Sequence, residues 1–276
     1  MTRSTRSANG LRARGILGKY RLVRRLDTGG FCEIWQAYDR VENISVALKV
    51  PIAGTLDEAD MRRFQREARL TASLDHPKVA RLKNAEFIDG LLVASFPLGQ
   101  ESLADRMTRR IGTKRALDIA TDLLEALAYA HERGVMHLDV KPENILLFDG
   151  GAARLADFGL SKIAAKATCT GSGLGTVGYY APEQAFGRPT KRSDVFSAGV
   201  VIWRLLAGAL PSWPFAWPPP GLKRVESKAG PAAVRVLRRA MQLDAGKRFS
   251  DAGEMLRSFR NSIRSIQAPP KRRSRA

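Results

Sequence analysis

The stretch His137-Leu138-Asp139-Val140-Lys141-Pro142-Glu143-Asn144 packs a carboxylate, an ammonium and a side-chain amide close together and runs into the apolar Ile145-Leu146-Leu147. Pro142 bars the lysine before it from helical geometry, so the stretch reads as a rigid loop feeding a strand. A carboxylate two residues from a cation and five from an amide suits a hydroxyl proton, a phosphate and a metal ion. Asp, Lys and Asn are also ordinary loop residues, and a surface turn accounts for the three of them taken alone. Their order, and what the rest of the chain supplies, decides between the two.

The chain has 276 residues, 44% hydrophobic and 26% charged, which is a globular composition with room for one large core or two small ones. Two cysteines, Cys32 and Cys169, argue against a disulfide framework and fit a reducing compartment. No apolar h-region follows Met1, and the longest near-apolar run, Phe196 to Leu210, is interrupted by Arg204 and too short to span a bilayer. A cytoplasmic location is therefore expected. The net charge is +19, and both ends are basic without a single acid: Arg3, Arg6, Arg12 and Arg14 at one, Lys271, Arg272, Arg273 and Arg275 at the other. Such ends suit an acidic partner, nucleic acid or an anionic membrane surface, and equally a solubilising tail. No zinc-ligand spacing or aromatic–basic RNA motif supports dedicated nucleic-acid binding.

Residues 1–18 are polar, rich in Gly, Ser and Arg, and read as a flexible arm. Strand-like patterns follow at 20–26, 34–38, 45–50, 79–88 and 91–96, with a helical pattern over 57–74. From Gly99 the chain turns helical: 117–131, 194–208, 231–243 and 250–264, with a short hairpin at 145–156 and a long Gly/Ser/Thr-rich loop over 160–180. Pro218-Pro219-Pro220 punctuates an irregular stretch.

Several further motifs stand in a fixed order around the opening loop. Leu26-Asp27-Thr28-Gly29-Gly30-Phe31-Cys32-Glu33-Ile34 is a glycine turn between strands, and glycines let backbone N–H groups approach an anion closely. Val46-Ala47-Leu48-Lys49 puts a lysine in an apolar strand, where an unpaired charge is costly and a partner is expected. Glu67 lies on the helical segment that follows, and Glu58 stands near its start, where capping suits it better. Then come Leu92 to Gly99, Asp157-Phe158-Gly159, Gly175 to Glu183, Ser193-Asp194-Val195 and Lys247-Arg248-Phe249.

In this order the motifs resemble those of the eukaryotic-like serine/threonine protein kinases of bacteria, over about residues 19–264. The opening stretch resembles their catalytic loop, H-R-D-x-x-x-x-N, and Val46–Lys49, Asp157–Gly159 and Ala181–Glu183 resemble V-A-I-K, D-F-G and A-P-E. The resemblance implies an α+β bilobal fold: a small five-stranded antiparallel lobe with one helix over 19–98, a larger mainly helical lobe over 99–264, and basic tails over 1–18 and 265–276. It implies that Asp139 accepts the substrate hydroxyl proton and that Lys141 neutralises the transferring phosphoryl group. Lys49 pairs with Glu67 to hold the α- and β-phosphates, and Asn144 and Asp157 ligate Mg²⁺. Leu26, Gly29, Gly30, Ile34, Ala47, Lys49 and Leu146 line the ATP site, with Ala94 as gatekeeper and the backbone of Ser95 and Pro97 facing the adenine edge. Asp194 anchors the catalytic loop and Arg248 pairs with Glu183. The implied activity is transfer of the γ-phosphoryl of Mg·ATP to Ser or Thr of a protein substrate.

The departures are specific. Asp27 and Cys32 replace two of the three usual glycines, which implies weakened ATP affinity. Leu138 stands where most members carry arginine, which implies activity independent of phosphorylation at Thr168, Thr170 or Ser172. Thr71 is polar where the family has an apolar residue packing toward Phe158, which implies a looser active arrangement. Pro211–Lys228 is short and rich in Pro and Trp where the family has a substrate-docking helix. These departures also suit a weakly active or inactive pseudokinase serving as a regulatory ATP-binding module. A small-molecule phosphotransferase shares the catalytic-loop and metal aspartates but not the A-P-E segment, Asp194 and Arg248.

Overall fold

The computed structural model describes residues 9–29, 32–52, 62, 65, 68–158, 177–211 and 217–267. The chain divides into two compact units, Met1–Gln100 with Ala156–Leu174, and Glu101–Leu155 with Gly175–Ala276.

The first unit is built on an antiparallel sheet ordered β1-β2-β3-β4-β6-β5. Its strands are β1 (Ile16–Leu17), β2 (Tyr20–Thr28), β3 (Cys32–Asp39), β4 (Ile44–Pro51), β5 (Asn84–Ile88) and β6 (Leu91–Pro97). Side chains alternate across a strand, and β3 buries every second residue: Glu33, Trp35, Ala37 and Asp39. With Tyr20, Leu22, Val46, Leu48, Val50 and Val93 the apolar members of that face form a core. The opposite, half-buried face carries Ile34, Ala47 and Lys49. The register sets Lys49 between Ile34 on β3 and Ala94 on β6.

Six strands stand where five were expected, because residues 9–18 do not behave as a free arm. Leu17 is buried, and β1 pairs with β2 through Leu17 and Tyr20. Leu11 packs against the core, and the Asn9 side chain donates to the Pro51 carbonyl at 2.9 Å. Its arginines mask apolar residues that alternate with them. The strand expected over 79–88 begins only at Asn84, since Val79 closes a turn onto His76 after Pro77. Within the helical segment expected over 57–74, residues 62, 65 and 68–72 are helical.

The second unit is helical around a small sheet. β7 (Glu101–Ser102), β8 (Ile145–Leu147) and β9 (Ala153–Leu155) form an antiparallel ladder. The helices are α1 (Leu103–Arg106), α2 (Thr113–Glu132), α3 (Pro182–Ala185), α4 (Lys191–Ala207), α5 (Leu222–Ala240) and α6 (Ala252–Gln267). α4 is buried nearly all round, from Ser193 to Leu206 with only Arg204 half-buried, as befits a central helix. Thr190 caps its start in a reciprocal arrangement with Ser193, and Gly208 ends it at φ 77°. Gly199 lets α5 come close: a Cβ there would lie 3.0 Å from the Cβ of Ala240. α5 starts at Leu222, ahead of the expected 231, and bends at Gly230–Pro231. Much of the stretch read as irregular is therefore helix, amphipathic but rich in Lys and Arg.

Candidate active site

In the second unit the candidate residues gather on the loop between α2 and β8. Its backbone is pinned by one carboxylate. Asp194, fully buried in the first turn of α4, accepts from the His137 N–H at 2.7 Å, the Leu138 N–H at 2.6 Å and His131 Nε2 at 2.9 Å. His131 Nδ1 accepts from the Ala252 N–H at 3.1 Å, so the ring is the Nε2–H tautomer donating to Asp194. A helix N-terminus favours an anion, and three donors replace the water Asp194 has lost. The clamp holds Leu138 at φ 66°, a left-handed conformation uncommon for a branched side chain. Gln184 Nε2 donates to the Leu138 carbonyl at 2.9 Å.

That turn presents Asp139. The Asp139 N–H donates to His137 Nδ1 at 3.2 Å. Lys141 Nζ lies 2.9 Å from Asp139 Oδ2, and Asn144 Nδ2 donates to the same oxygen at 3.0 Å and to the Asp139 carbonyl at 2.8 Å. The short 3-10 turn Pro142–Asn144 delivers the amide, with Pro142 preset at its first position. The Tyr180 hydroxyl donates to Asp139 Oδ1 at 3.2 Å. Leu146, expected at the adenine, lies in β8 opposite Arg154 and Ser102.

Behind this loop Arg248 uses all five of its N–H groups. Two meet Glu183 side by side, Nη1 to Oε1 at 2.7 Å and Nη2 to Oε2 at 2.9 Å. The other three donate to the carbonyls of Gln242, Arg192 and Leu243 at 2.7, 3.0 and 3.1 Å. Ser193 Oγ adds a bond to Glu183 Oε1 at 2.7 Å. Burial alone pushes the Glu183 carboxyl up, but the Arg248 and Ser193 bonds outweigh it and hold the group below the usual carboxylate range.

The first unit carries candidate residues of its own. Lys49 Nζ lies 3.0 Å from Asp157 Oδ1, across 108 residues of sequence. Asp157 stands at φ 63°. Thr71 is buried, and its Oγ1 donates to the Phe158 carbonyl at 3.1 Å. The polar residue expected to loosen this contact instead bonds to it. Cys32, at a position where the family has glycine, is held neutral: burial, opposed by Lys49 and reinforced by Asp157, pushes its thiol to about 11.

The remaining expected residues fall as follows. Glu67 and Gly30 lie outside the described residues, as do Gly159, Thr168, Cys169, Thr170 and Ser172. Leu26 is in β2, and the Gly29 N–H donates to the Cys32 carbonyl at 2.9 Å. Ala94 and Ser95 are buried in β6. The Ser95 carbonyl already accepts from the Lys83 N–H at 2.8 Å, leaving one lone pair for any adenine contact. Pro97 pairs with Val46 and offers only its carbonyl. Four contacts were missed from sequence: Tyr180 on Asp139, Gln184 on Leu138, Thr71 on Phe158 and His131 on Asp194. Each joins residues 41 or more apart in sequence, where no local pattern links them.

The protein kinase domain family matches residues 20–216. The chain is 35% identical over 281 residues to the serine/threonine-protein kinase PknA of Mycobacterium tuberculosis, covering 92% of this chain and 65% of that one. It is 34% identical over 204 residues to PrkC of Bacillus subtilis, covering 71% and 31%. The chain thus spans less than two thirds of these relatives' lengths. The crystal structure of the M. tuberculosis PknI kinase domain matches with a TM-score of 0.71 at 27% identity, covering 91% of this chain and 99% of that one. With the carboxylate loop, the Lys49–Asp157 pair and the Glu183–Arg248 pair in place, the chain belongs to the protein kinase family, among the eukaryotic-like serine/threonine kinases of bacteria.

Proposed function

We propose that the chain is a serine/threonine protein kinase domain transferring the γ-phosphoryl of Mg·ATP to a Ser or Thr hydroxyl of a protein substrate. The observation that carries this reading is the set of contacts on Asp139. Lys141 and Asn144 both hold Oδ2, so the carboxyl group is fixed in place beside the Lys141 amine. Asp139 takes the proton of the acceptor hydroxyl as the hydroxyl oxygen bonds to the γ-phosphorus and that phosphorus parts from the bridging oxygen, which leaves with ADP. Lys141 offers its ammonium to the negative charge of the transferred group. Asn144 gives both amide hydrogens to Asp139, which leaves its carbonyl oxygen for a hard cation. Asp157 adds a carboxylate, and Lys49, with Glu67 as its expected second partner, holds the phosphates. Mg·ATP, when bound, supplies the phosphoryl group and the charge that offsets its phosphates.

Incubating the full chain with labelled Mg·ATP and a generic basic protein, beside Asp139→Asn, tests the reading. Label on serine and threonine is expected, falling at least about a hundredfold in the variant. Omitting Mg²⁺ is expected to abolish it and adding Mg²⁺ back to restore it. A thermal shift with ATP but no transfer would make the chain a regulatory ATP-binding module instead.

Independence from activation-loop phosphorylation is supported by Leu138 itself. Its side chain is buried and its backbone is bonded on both sides, so no guanidinium stands there to grip a phosphate. The boundary between the lobes is assigned to 98/99, with β1 and the residues just before it joined to the first lobe, and a cytoplasmic location follows the cysteine usage. Among the described residues no helix is long and apolar enough to cross a membrane. The basic ends are assigned to an acidic partner, nucleic acid or an anionic membrane surface.

A further inference from the structure

Asp139 receives side-chain bonds on both oxygens, and the proposed chemistry accounts for those on Oδ2, from Lys141 and Asn144. The bond from Tyr180 to Oδ1 at 3.2 Å is not used by it. Oδ1 is the oxygen that neither Lys141 nor Asn144 occupies, and so the better placed to receive a proton. A phenol hydroxyl and a serine hydroxyl are the same kind of donor. Burial of the Tyr180 hydroxyl first, and the Asp139 carboxylate next, push the phenol's pKa up, so it stays a donor at neutral pH.

The backbone around Tyr180 is fixed while its side chain is not enclosed. Tyr179 is buried and its carbonyl accepts from Ser197 Oγ at 2.7 Å. The Ala181 N–H donates to Gln184 Oε1 at 3.0 Å, and Glu183 is held by Arg248. Tyr180, between them, is 38% exposed. Its ring can change rotamer without moving the chain that carries it.

We propose that Tyr180 is an acceptor-site gate: its hydroxyl occupies the Asp139 oxygen that an incoming Ser or Thr hydroxyl must take, so a protein substrate engages by displacing it. This rests on Asp139 as the proton acceptor. It makes Tyr180 a residue that sets the acceptor KM, favouring substrates whose flanking contacts compensate for lifting the phenol away.

Tyr180→Phe keeps the ring and removes the competing hydroxyl. In steady-state assays of the full chain with a basic protein acceptor, its acceptor KM is expected to fall about three- to tenfold, with kcat equal or higher and the ATP KM unchanged. A fall in kcat at unchanged acceptor KM would overturn the gate and make Tyr180 a residue that orients Asp139. Unchanged constants would overturn it as well. Phosphate found on Tyr180 of the incubated wild-type chain would show the phenol to be an acceptor, again against the gate. Asp139→Asn run in parallel separates the layers. Retained transfer there removes the proton-acceptor reading and the gate with it, whereas lost transfer beside an unaltered Tyr180→Phe removes the gate alone. A melting curve for Tyr180→Phe matching wild type excludes misfolding as the cause of any change.

Discussion

Leu138 at φ 66° and Asp157 at φ 63° are two left-handed residues at the heart of the site, a conformation that costs a non-glycine residue about 1–3 kcal/mol. Each is held by bonds to its own or the next peptide. Asp194 and Gln184 hold the peptide groups of Leu138, while Thr71 takes the carbonyl just after Asp157. Thr71→Val keeps the volume and removes the hydroxyl, so Asp157 loses part of its support. The Mg²⁺ concentration for half-maximal activity is expected to rise about three- to tenfold while stability falls by about 1 kcal/mol. Thr71→Ser should restore metal dependence. An unchanged Mg²⁺ titration in Thr71→Val would show that the hydroxyl only packs. Cys32 yields a prediction of another kind. With its thiol pushed to about 11, it is expected to resist alkylation at pH 8 in the folded chain and to react once the chain is unfolded, as read by mass spectrometry of the Cys32 peptide.

Among the elements, α4 does most to shape the loop His137–Asn144. Its N-terminal turn carries Asp194 for the loop backbone and Ser193 for Glu183, so one helix start organises two segments. Glu183 and Arg248 tie the A-P-E segment, which leads into α3, to the chain just before α6. Arg248 is fully buried, and removing its partner leaves an uncompensated charge. Glu183→Ala is expected to cost about 3 kcal/mol and to lower Tm by roughly 6–9 °C. Arg248→Met, which removes the charge instead, should cost less if burial of the lone guanidinium is what hurts. Calorimetry of the two variants checks the order.

For the whole molecule, the charged groups define a pH window. Glu183 has a carboxyl lowered by its partners against burial, and so do Asp39 and Asp251, while backbone bonds lead the lowering at Glu254. A folded pKa below the unfolded one adds stability above the unfolded value and loses it as pH falls through the folded one. Melting temperatures are therefore expected to drop as pH falls below about 4. Lys19, raised chiefly by its bond to Asp39, works the other way: its contribution is present below the ordinary lysine value and lost as pH rises through its raised one. A flat Tm between pH 6 and pH 3 would contradict the carboxylate assignments. At the same scale, replacing Thr168, Thr170 and Ser172 together by alanine is expected to leave transfer to an added substrate within about twofold of wild type. Loss of activity would show that Leu138 does not free the chain from loop phosphorylation.

The sequence alone determined the family and the α+β architecture and proposed the site residues, because glycine turns, a lysine in an apolar strand and the eight-residue carboxylate loop are local patterns fixed by spacing. It also placed the Glu183–Arg248 and Asp194 contacts, through the order of motifs. Tertiary structure decided the rest. Leu17 looked like part of a basic arm because sequence charge hides which residues alternate inward, and pairing with Tyr20 settles that only once β2 exists. Thr71 looked like a weakness because its partner carbonyl is 87 residues away. Tyr180 carried no signal at all, since a phenol meets a carboxylate 41 residues distant only after the chain between them has folded back. Local patterns follow from backbone geometry and side-chain period. Which hydrogen-bond donor reaches which oxygen depends on packing that brings distant residues together.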